Sequence, residues 1–248
     1  MTVWQDNFDD NVFDTNKWLK FWWWTGTDGA SGEVYERNQR LEFEVTSKGM
    51  NYGNLGVVSR DRYDLTKGKV RVYMANLSEP QAAKLMLLIS PHLTSKYVLD
   101  DLSDYYVVML DHYYDYFRVA RKVGGTYEVL YEEMDRPMSN ELKMEIEAGF
   151  IRFYEGGVLR AYDAYRLPSY ECYIYLVKAY ESTLGLATYT DWADDFYCEY
   201  AGTIEEKVEA KTELIQWQIS EWLKANWVPL SVIGIVLAII FAIIMGLI

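Results

Sequence analysis

Aromatic side chains beside carboxylate groups are the combination with which proteins stack against sugar rings and hydrogen-bond to them, and two segments of this sequence contain it. They contribute six candidate glycan-binding residues, Trp22, Trp23, Trp24, Asp28, Tyr113 and Tyr114. In a strand, Trp22 and Trp24 point to one face and Trp23 points to the other. We expect one of these faces to lie in a hydrophobic core, because buried aromatics are the commoner case, but the sequence does not say which.

Carboxylates at alternate positions are the second candidate chemistry, because two of them on one strand face can act as general acid and general base. Glu42 and Glu44 have this spacing, and Glu141, Glu145 and Glu147 share a face that a lysine interrupts. We interpret both groups as charged side chains on the solvated face of a strand.

The remaining polar residues do not form a catalytic motif. Asp111 and Asp115 flank an expected hairpin tip, either as a polar binding loop or, as we prefer, as ordinary turn residues. The two histidines, His92 and His112, belong to no metal-binding or nucleophile motif. We therefore predict no catalytic residue.

Cys172 and Cys198 are the only cysteines, too few for a disulfide scaffold or a zinc cluster. They form one disulfide between neighbouring strands if the domain faces an oxidising space, and otherwise they are two buried thiols. The sequence leaves both alternatives open.

The charge balance restricts the partners. The chain of 248 residues has 37 acidic and 24 basic side chains and a formal net charge of −13. Nucleic acid is excluded as a partner, because its binding needs clustered Lys and Arg. Peripheral docking on anionic lipid is disfavoured for the same reason.

The elements that must position these residues are strands. From Val3 to about Tyr200 the sequence consists of short alternating segments, such as Lys69–Met74 and Glu141–Glu147, separated by turn residues. The Gly-Gly pairs at 124–125 and 156–157, flanked by alternating runs, indicate hairpins. The pattern predicts an all-β, two-sheet antiparallel sandwich over residues 1–202.

Beyond Gly202 the pattern changes. Thr203-Ile-Glu-Glu206 has the form of a capping box, and an apolar seam follows, so residues 203–227 are predicted to form an amphipathic stalk helix. Residues 228–248 have no charged side chain and suffice to cross a bilayer as one C-terminal transmembrane helix. No signal peptide is expected at the N-terminus.

The predicted transmembrane helix has small residues at every fourth position, Gly234, Ala238, Ala242 and Gly246. Strips of this kind allow the backbones of two membrane helices to approach closely. They favour association with a second copy of the chain or with a neighbouring membrane protein, although Gly and Ala are also common in membrane helices.

The β region resembles the concanavalin A-like lectin/glucanase superfamily, whose jelly-roll domains include laminin G-like modules. The resemblance is spread over about residues 3 to 200 and specifies the fold better than the function. It rests on the segments Trp4–Asp10, Asp14–Trp18, Arg40–Phe43, Tyr105–Leu110, Phe117–Arg121, Gly125–Tyr127, Ile151–Gly157, Ala187–Tyr189 and Asp194–Phe196.

The resemblance implies two kinds of site. Members often bind a structural Ca²⁺ where the first and last strands meet, and the corresponding oxygen ligands here are Asp9, Asp10, Asp194 and Asp195. The glucanase branch has three carboxylates in an E-x-D-x-(x)-E arrangement on one strand, and this sequence has no such triplet. The expected cofactor is thus at most Ca²⁺, and an enzyme is not expected.

Three functions remain as hypotheses. The preferred one is a membrane-anchored structural or attachment protein that displays a lectin-like head on a virion envelope or cell surface. The first alternative is a membrane-tethered, carbohydrate-binding lectin, and the second is a divergent glycoside hydrolase. The bilayer, glycans and further membrane helices are the expected partners.

Overall fold

The fold is known from a computed structural model that describes residues 1–25, 31–47, 51–76, 83–111, 116–135, 139–182, 187–201 and 203–204. Its β domain belongs to a compact unit, Met1–Glu206. The elements in the described residues follow the order β1 (Thr2–Asp6), β2 (Trp18–Trp24), β3 (Ser31–Arg37), β4 (Arg40–Ser47), β5 (Asn51–Ser59), β6 (Arg62–Asp64), β7 (Lys69–Asn76), β8 (Ala83–Ser90), α1 (Val98–Asp101), β9 (Tyr105–Asp111), β10 (Tyr116–Val123), β11 (Thr126–Met134), β12 (Glu141–Glu147), β13 (Phe150–Glu155), β14 (Val158–Ala164), β15 (Glu171–Ser182), β16 (Ala187–Tyr200) and β17 (Thr203–Ile204).

The strands form two antiparallel sheets, which confirms the predicted all-β sandwich. Within the described residues, the eight-stranded sheet has the order β14-β13-β12-β7-β16-β4-β3, with β1 also paired to β16. The nine-stranded sheet has the order β11-β10-β9-β8-β15-β5-β2, with β6 also paired to β15 and β17 paired to β6.

The core lies between the sheets because alternate residues of each strand point inward. Leu85, Leu87 and Ile89 of β8 and Val108 and Leu110 of β9 are fully buried in it. Both β7 and β12 contribute every second residue to the same core, as their alternation predicted.

The region after β16 departs from the prediction at its first residues. Thr203 and Ile204, expected to begin the stalk helix, form β17 and pair with Tyr63 and Arg62 of β6. The rest of the predicted stalk and the predicted transmembrane helix, with its strip of small residues from Gly234 to Gly246, lie outside the described residues. Within the part of the chain that the structure describes, no helix is long and apolar enough to cross a membrane.

Candidate functional site

The face of the nine-stranded sheet that points away from the core, here called the outer face, brings candidate residues from distant parts of the sequence into register. One line of directly opposed residues crosses seven strands of this sheet. This cross-sheet row consists of Trp23, Asn54, Ala179, Lys84, Asp111, Tyr116 and Met134. The ring of Trp23 and the carboxylate of Asp111 therefore lie on the same face of the sheet, four strands apart.

A group of charged side chains, here called the polar cluster, occupies one end of the row. Asp111 ends β9 and is fully buried, and Lys84 Nζ lies 3.8 Å from its Oδ2 atom. Tyr116, opposite Asp111 on β10, hydrogen-bonds with it, and burial followed by the charge of Asp111 raises the pKa of Tyr116. Arg118 Nε donates to Glu132 Oε2 on β11 at 2.5 Å.

The two carboxylates of the polar cluster are separated by strand β10. Asp111 is opposite Tyr116, whereas Glu132 is opposite Arg118, two residues further along β10. Backbones two strands apart are about 10 Å from each other, which leaves room for a ligand between side chains that rise from them. The cluster thus combines a buried carboxylate, an exposed one and two cations on one face of the sheet.

The opposite end of the row carries an aromatic cluster of three rings. The ring of Trp23 lies 5.9 Å from that of Tyr52 and 6.0 Å from that of Tyr97, and the two tyrosines are 5.5 Å apart. Tyr52 is exposed, and the other two rings are half-buried. These rings are suited to stacking against a sugar.

The structure decides which face each predicted tryptophan occupies. Trp24 lies on the inward side of β2 and packs against the core, and Trp22 shares that side but is exposed at its edge. Only Trp23 points to the outer face. Asp28, Tyr113 and Tyr114 lie outside the described residues.

The middle of the outer face is buried. Met86, Val107, Met109 and Val177 have at most 1% of their surface exposed. Part of the cover is residues 91–104, here called the strap, which connect β8 to β9 and include α1. On β9 the outer positions hold Tyr105, Val107, Met109 and Asp111, so a single carboxylate stands where a catalytic triplet would need three.

The paired carboxylates Glu42 and Glu44 are engaged structurally. Glu42 is nearly fully buried and accepts hydrogen bonds from Arg37 Nε at 2.5 Å and from Arg40 Nε at 2.9 Å. Burial acts to raise the pKa of Glu42, but the hydrogen bonds from Asn38, Arg37 and Arg40 outweigh it, and the pKa is lowered. A carboxylate held ionised by two arginines is not a proton donor at neutral pH.

The four aspartates predicted to bind calcium are only partly brought together. Burial raises the pKa of Asp194, and the charges of Asp195 and Asp9 raise it further, so these three acidic groups are neighbours. Asp10 instead hydrogen-bonds with Glu36. Among the described residues, no group of three His, Cys, Asp or Glu side chains is arranged to hold a metal ion.

The structure also decides between the two alternatives for the cysteines. Cys172 and Cys198 are free thiols, both fully buried in the core between the sheets. Burial is the largest cause of the raised pKa of Cys172, to about 12. In this structure the two cysteines correspond to the buried-thiol alternative and serve as small core side chains.

No protein-family model and no curated protein matches the chain by sequence. Several solved structures share its fold. The catalytic domain of an endo-1,3-beta-glucanase (laminarinase) from Thermotoga petrophila has a TM-score of 0.58 and 11% identity, covering 80% of this chain and 97% of that one. A beta-1,3-1,4-glucanase (lichenase) derived from a mouse hindgut metagenome has a TM-score of 0.57 and 11% identity, and the match covers 80% of this chain and 98% of that one. A structure from a study of endo-acting O-glycanases of the human gut microbiota has a TM-score of 0.60 and 13% identity. The match covers 80% of this chain and 99% of that one.

These comparisons confirm the jelly-roll fold and correct the expected function. The three structures are those of a laminarinase catalytic domain, a lichenase and a protein from a study of O-glycanases, which contradicts both the preferred interpretation as a structural or attachment protein and the expectation that the chain is not an enzyme. At this level of identity the likeness establishes the fold, so an activity must be argued from the residues of the outer face.

Asp111, expected to be a turn residue, is instead the last residue of β9, and no sequence motif points to Lys84, Arg118 or Glu132. Asp111 follows six strand residues of which four are apolar, and its position at an alternate outer site was visible in the sequence. The pairing that sets it beside Lys84 and Tyr116 was not, because β8 and β9 are separated by the strap.

Proposed function

We propose that the domain is a divergent glycoside hydrolase that binds a glycan across the outer face of the nine-stranded sheet. The observation that carries this proposal is Asp111, a fully buried carboxylate beside Lys84, in the same cross-sheet row as the ring of Trp23. A buried charge costs free energy unless it is paired, and such groups are concentrated at functional sites. The likeness of the fold to laminarinase and lichenase supports a β-linked glucan as the first substrate to test.

Two carboxylates have separate roles in the proposed reaction. Asp111 accepts a proton from a water molecule whose oxygen bonds to the sugar carbon, and Glu132 protonates the oxygen of the departing sugar. Glu132 can do so only after substrate separates it from Arg118, whose Nε donates a hydrogen bond to its Oε2 atom. The proposed reaction is an inverting one, because the water molecule that loses its proton to Asp111 attacks the sugar carbon directly.

The test is release of reducing ends by the full-length chain from β-1,3-glucan, mixed-linkage β-1,3-1,4-glucan and mucin O-glycans. We expect Asp111→Asn to lower the rate at least about 100-fold, the usual scale for losing a general base. Glu132→Gln should have a similar effect. Glu145→Gln is the control, because Glu145 is a carboxylate that is paired with lysines, as Asp111 is, but lies on β12 of the other sheet. Hydrolysis unaffected by Asp111→Asn would contradict the proposal.

Glycan binding without hydrolysis is the second candidate, and the aromatic cluster supports it. A lectin would lose affinity on Trp23→Ala, because stacking on its ring is lost, and would keep its affinity on Asp111→Asn. Binding to immobilised glucans, measured beside hydrolysis with the same variants, separates the two functions.

Two earlier expectations stay predictions. A structural Ca²⁺ at Asp9, Asp10, Asp194 and Asp195 predicts a higher Tm in calcium than in chelator, and an unchanged Tm would oppose it. Membrane attachment through residues 228–248, and association through Gly234, Ala238, Ala242 and Gly246, are predicted by the sequence alone.

A further inference from the structure

The strap lies on the same sheet face as the proposed glycan site and is held there by side chains of the sheet. Asn54 and Tyr175, both fully buried, rise from the outer positions of β5 and β15 beneath it. Asn54 stands next to Trp23 in the cross-sheet row. The strap therefore covers the part of the outer face beside Trp23, and its own Tyr97 belongs to the aromatic cluster.

The hydrogen bonds from the sheet go to the backbone of the strap. Tyr175 Oη donates to the carbonyl of His92 at 2.8 Å and accepts from the amide of Thr94 at 3.0 Å. Asn54 Nδ2 donates to the carbonyl of Lys96 at 3.3 Å, and Asn54 Oδ1 accepts from the amide of Val98 at 2.9 Å. Each side chain thus gives one hydrogen bond and receives one.

This pattern of one donor and one acceptor per side chain also fits the hydroxyl groups of a sugar, each of which donates and accepts. The side chains would otherwise be buried polar groups that cost free energy without partners. A glycan that displaced the strap could take over the two hydrogen bonds of Asn54 in the cross-sheet row and, where it also extends along β15 from Ala179 to Tyr175, the two of Tyr175.

The strap is also held by contacts within itself. Thr94 Oγ1 donates to Asp101 Oδ2 at 2.5 Å, and Lys96 Nζ lies 3.3 Å from Asp101 Oδ1. Val98 and Leu102 are its buried apolar residues. Asp101 therefore stabilises the closed strap without contacting the sheet residues that a glycan would use.

We propose that the strap is an internal competitor of the substrate: Asn54 and Tyr175 are latent glycan-binding residues that exchange the strap backbone for sugar hydroxyls when a glycan binds. This inference rests on the proposed function and extends its site. The ligand is a neutral oligosaccharide that reaches from Trp23 to Asp111, four strand spacings or about 19 Å. Shorter oligosaccharides that touch only the polar cluster leave the strap in place.

The test weakens the strap without changing the sheet beneath it. Asp101→Ala removes the ties to Thr94 and Lys96, so less free energy is needed to displace the strap, and the KM for a long β-glucan should fall about 3- to 10-fold at unchanged kcat. Asp100→Ala, which removes the neighbouring carboxylate of α1 and no tie within the strap, is the matched control and should behave as wild type. Thermal unfolding of both variants verifies that they fold.

Hydrogen exchange of the wild-type chain gives an independent readout. The amides of Thr94 and Val98 should exchange faster when the glucan is saturating, because they lose Tyr175 and Asn54 as partners. Unchanged protection of these amides in the bound protein, or equal KM values for wild type and Asp101→Ala, overturns the strap proposal while hydrolysis stands. Absence of glycan binding and hydrolysis in both wild type and Asp101→Ala overturns the proposed function together with it.

Discussion

At the residue scale, the least expected contact is an ion pair inside the hydrophobic core. Lys178 of β15 and Asp191 of β16 have at most 1% of their side-chain surface exposed, and Lys178 Nζ lies 2.9 Å from Asp191 Oδ2. Burial is the main cause that lowers the pKa of Lys178, and the charge of Asp191 opposes it. The pair connects the two sheets, and Lys178 Nζ also donates to the backbone carbonyl of Phe43 at 3.4 Å.

Removal of one member of this pair should destabilise the fold strongly. We expect Asp191→Ala to lower the free energy of unfolding by about 3–5 kcal/mol, because Lys178 is then a buried charge without its counterion. The double variant Lys178→Met, Asp191→Leu should lie close to wild type, since an apolar pair suits the core. Urea unfolding measures both. If Asp191→Ala were as stable as the double variant, the unpaired charge of Lys178 would not be the cause of the destabilisation.

A second residue-scale prediction concerns pH. Burial, followed by the hydrogen bond and charge of Asp10, raises the pKa of Glu36 from 4.5 to about 8. The folded state therefore holds this proton more tightly than the unfolded state does, and the stabilisation is complete below pH 4.5 and is lost as the pH rises through about 8. Glu36→Gln should flatten this decline in Tm, and Asp10→Asn should reduce it. If the Tm of Glu36→Gln fell as steeply with rising pH as that of wild type, other titrating groups would be responsible for the decline.

At the element scale, the close pairing of β5 with β15 depends on a glycine, Gly56. A Cβ atom at Gly56 would lie 2.2 Å from the backbone oxygen of Leu176. Gly56→Ala should therefore destabilise the domain by about 1–3 kcal/mol, because the pairing of the two strands must shift. At Gly32, in β3, the same atom would meet its nearest neighbour at 3.5 Å. Gly32→Ala is the matched control, and equal urea midpoints for the two variants would refute the steric explanation.

The strands themselves were largely predictable because their signals are local. Alternation located β7 and β12, and the turns at Gly124-Gly125 and Gly156-Gly157 have the positive φ angles that hairpin glycines adopt. The helix start expected at Thr203 was wrong because Thr203 and Ile204 pair with β6, and no local pattern reveals such a partner.

The candidate site was less predictable for the same reason. Alternation separated Trp23 from Trp22 and Trp24, but which side faces the core depends on the strands that pair with β2. The polar cluster requires the register of β8 to β11, and the strap over the outer face depends on Asn54 and Tyr175, which lie far from it in sequence. Nonlocal contacts of this kind leave no periodic trace in the sequence.

At the scale of the whole molecule, the strongest untested prediction is membrane attachment. The full-length chain should sediment with membranes and remain there in high salt, because residues 228–248 have no charged side chain and suffice to span a bilayer. A chain that ends at Glu206, the last residue of the compact β unit, should stay in the supernatant. Identical behaviour of the two chains after fractionation would contradict the anchor.

The pairing of the first strand with β16 has a mechanical consequence. Thr2 is opposite Tyr200, so β1 begins beside the end of β16. Tension between the N-terminus and the chain that follows Tyr200 would load these hydrogen bonds one pair at a time, as in opening a zipper, and not all together as in shearing. We expect the domain to yield at low force in a single-molecule pulling experiment along this axis, with β1 the first strand to detach.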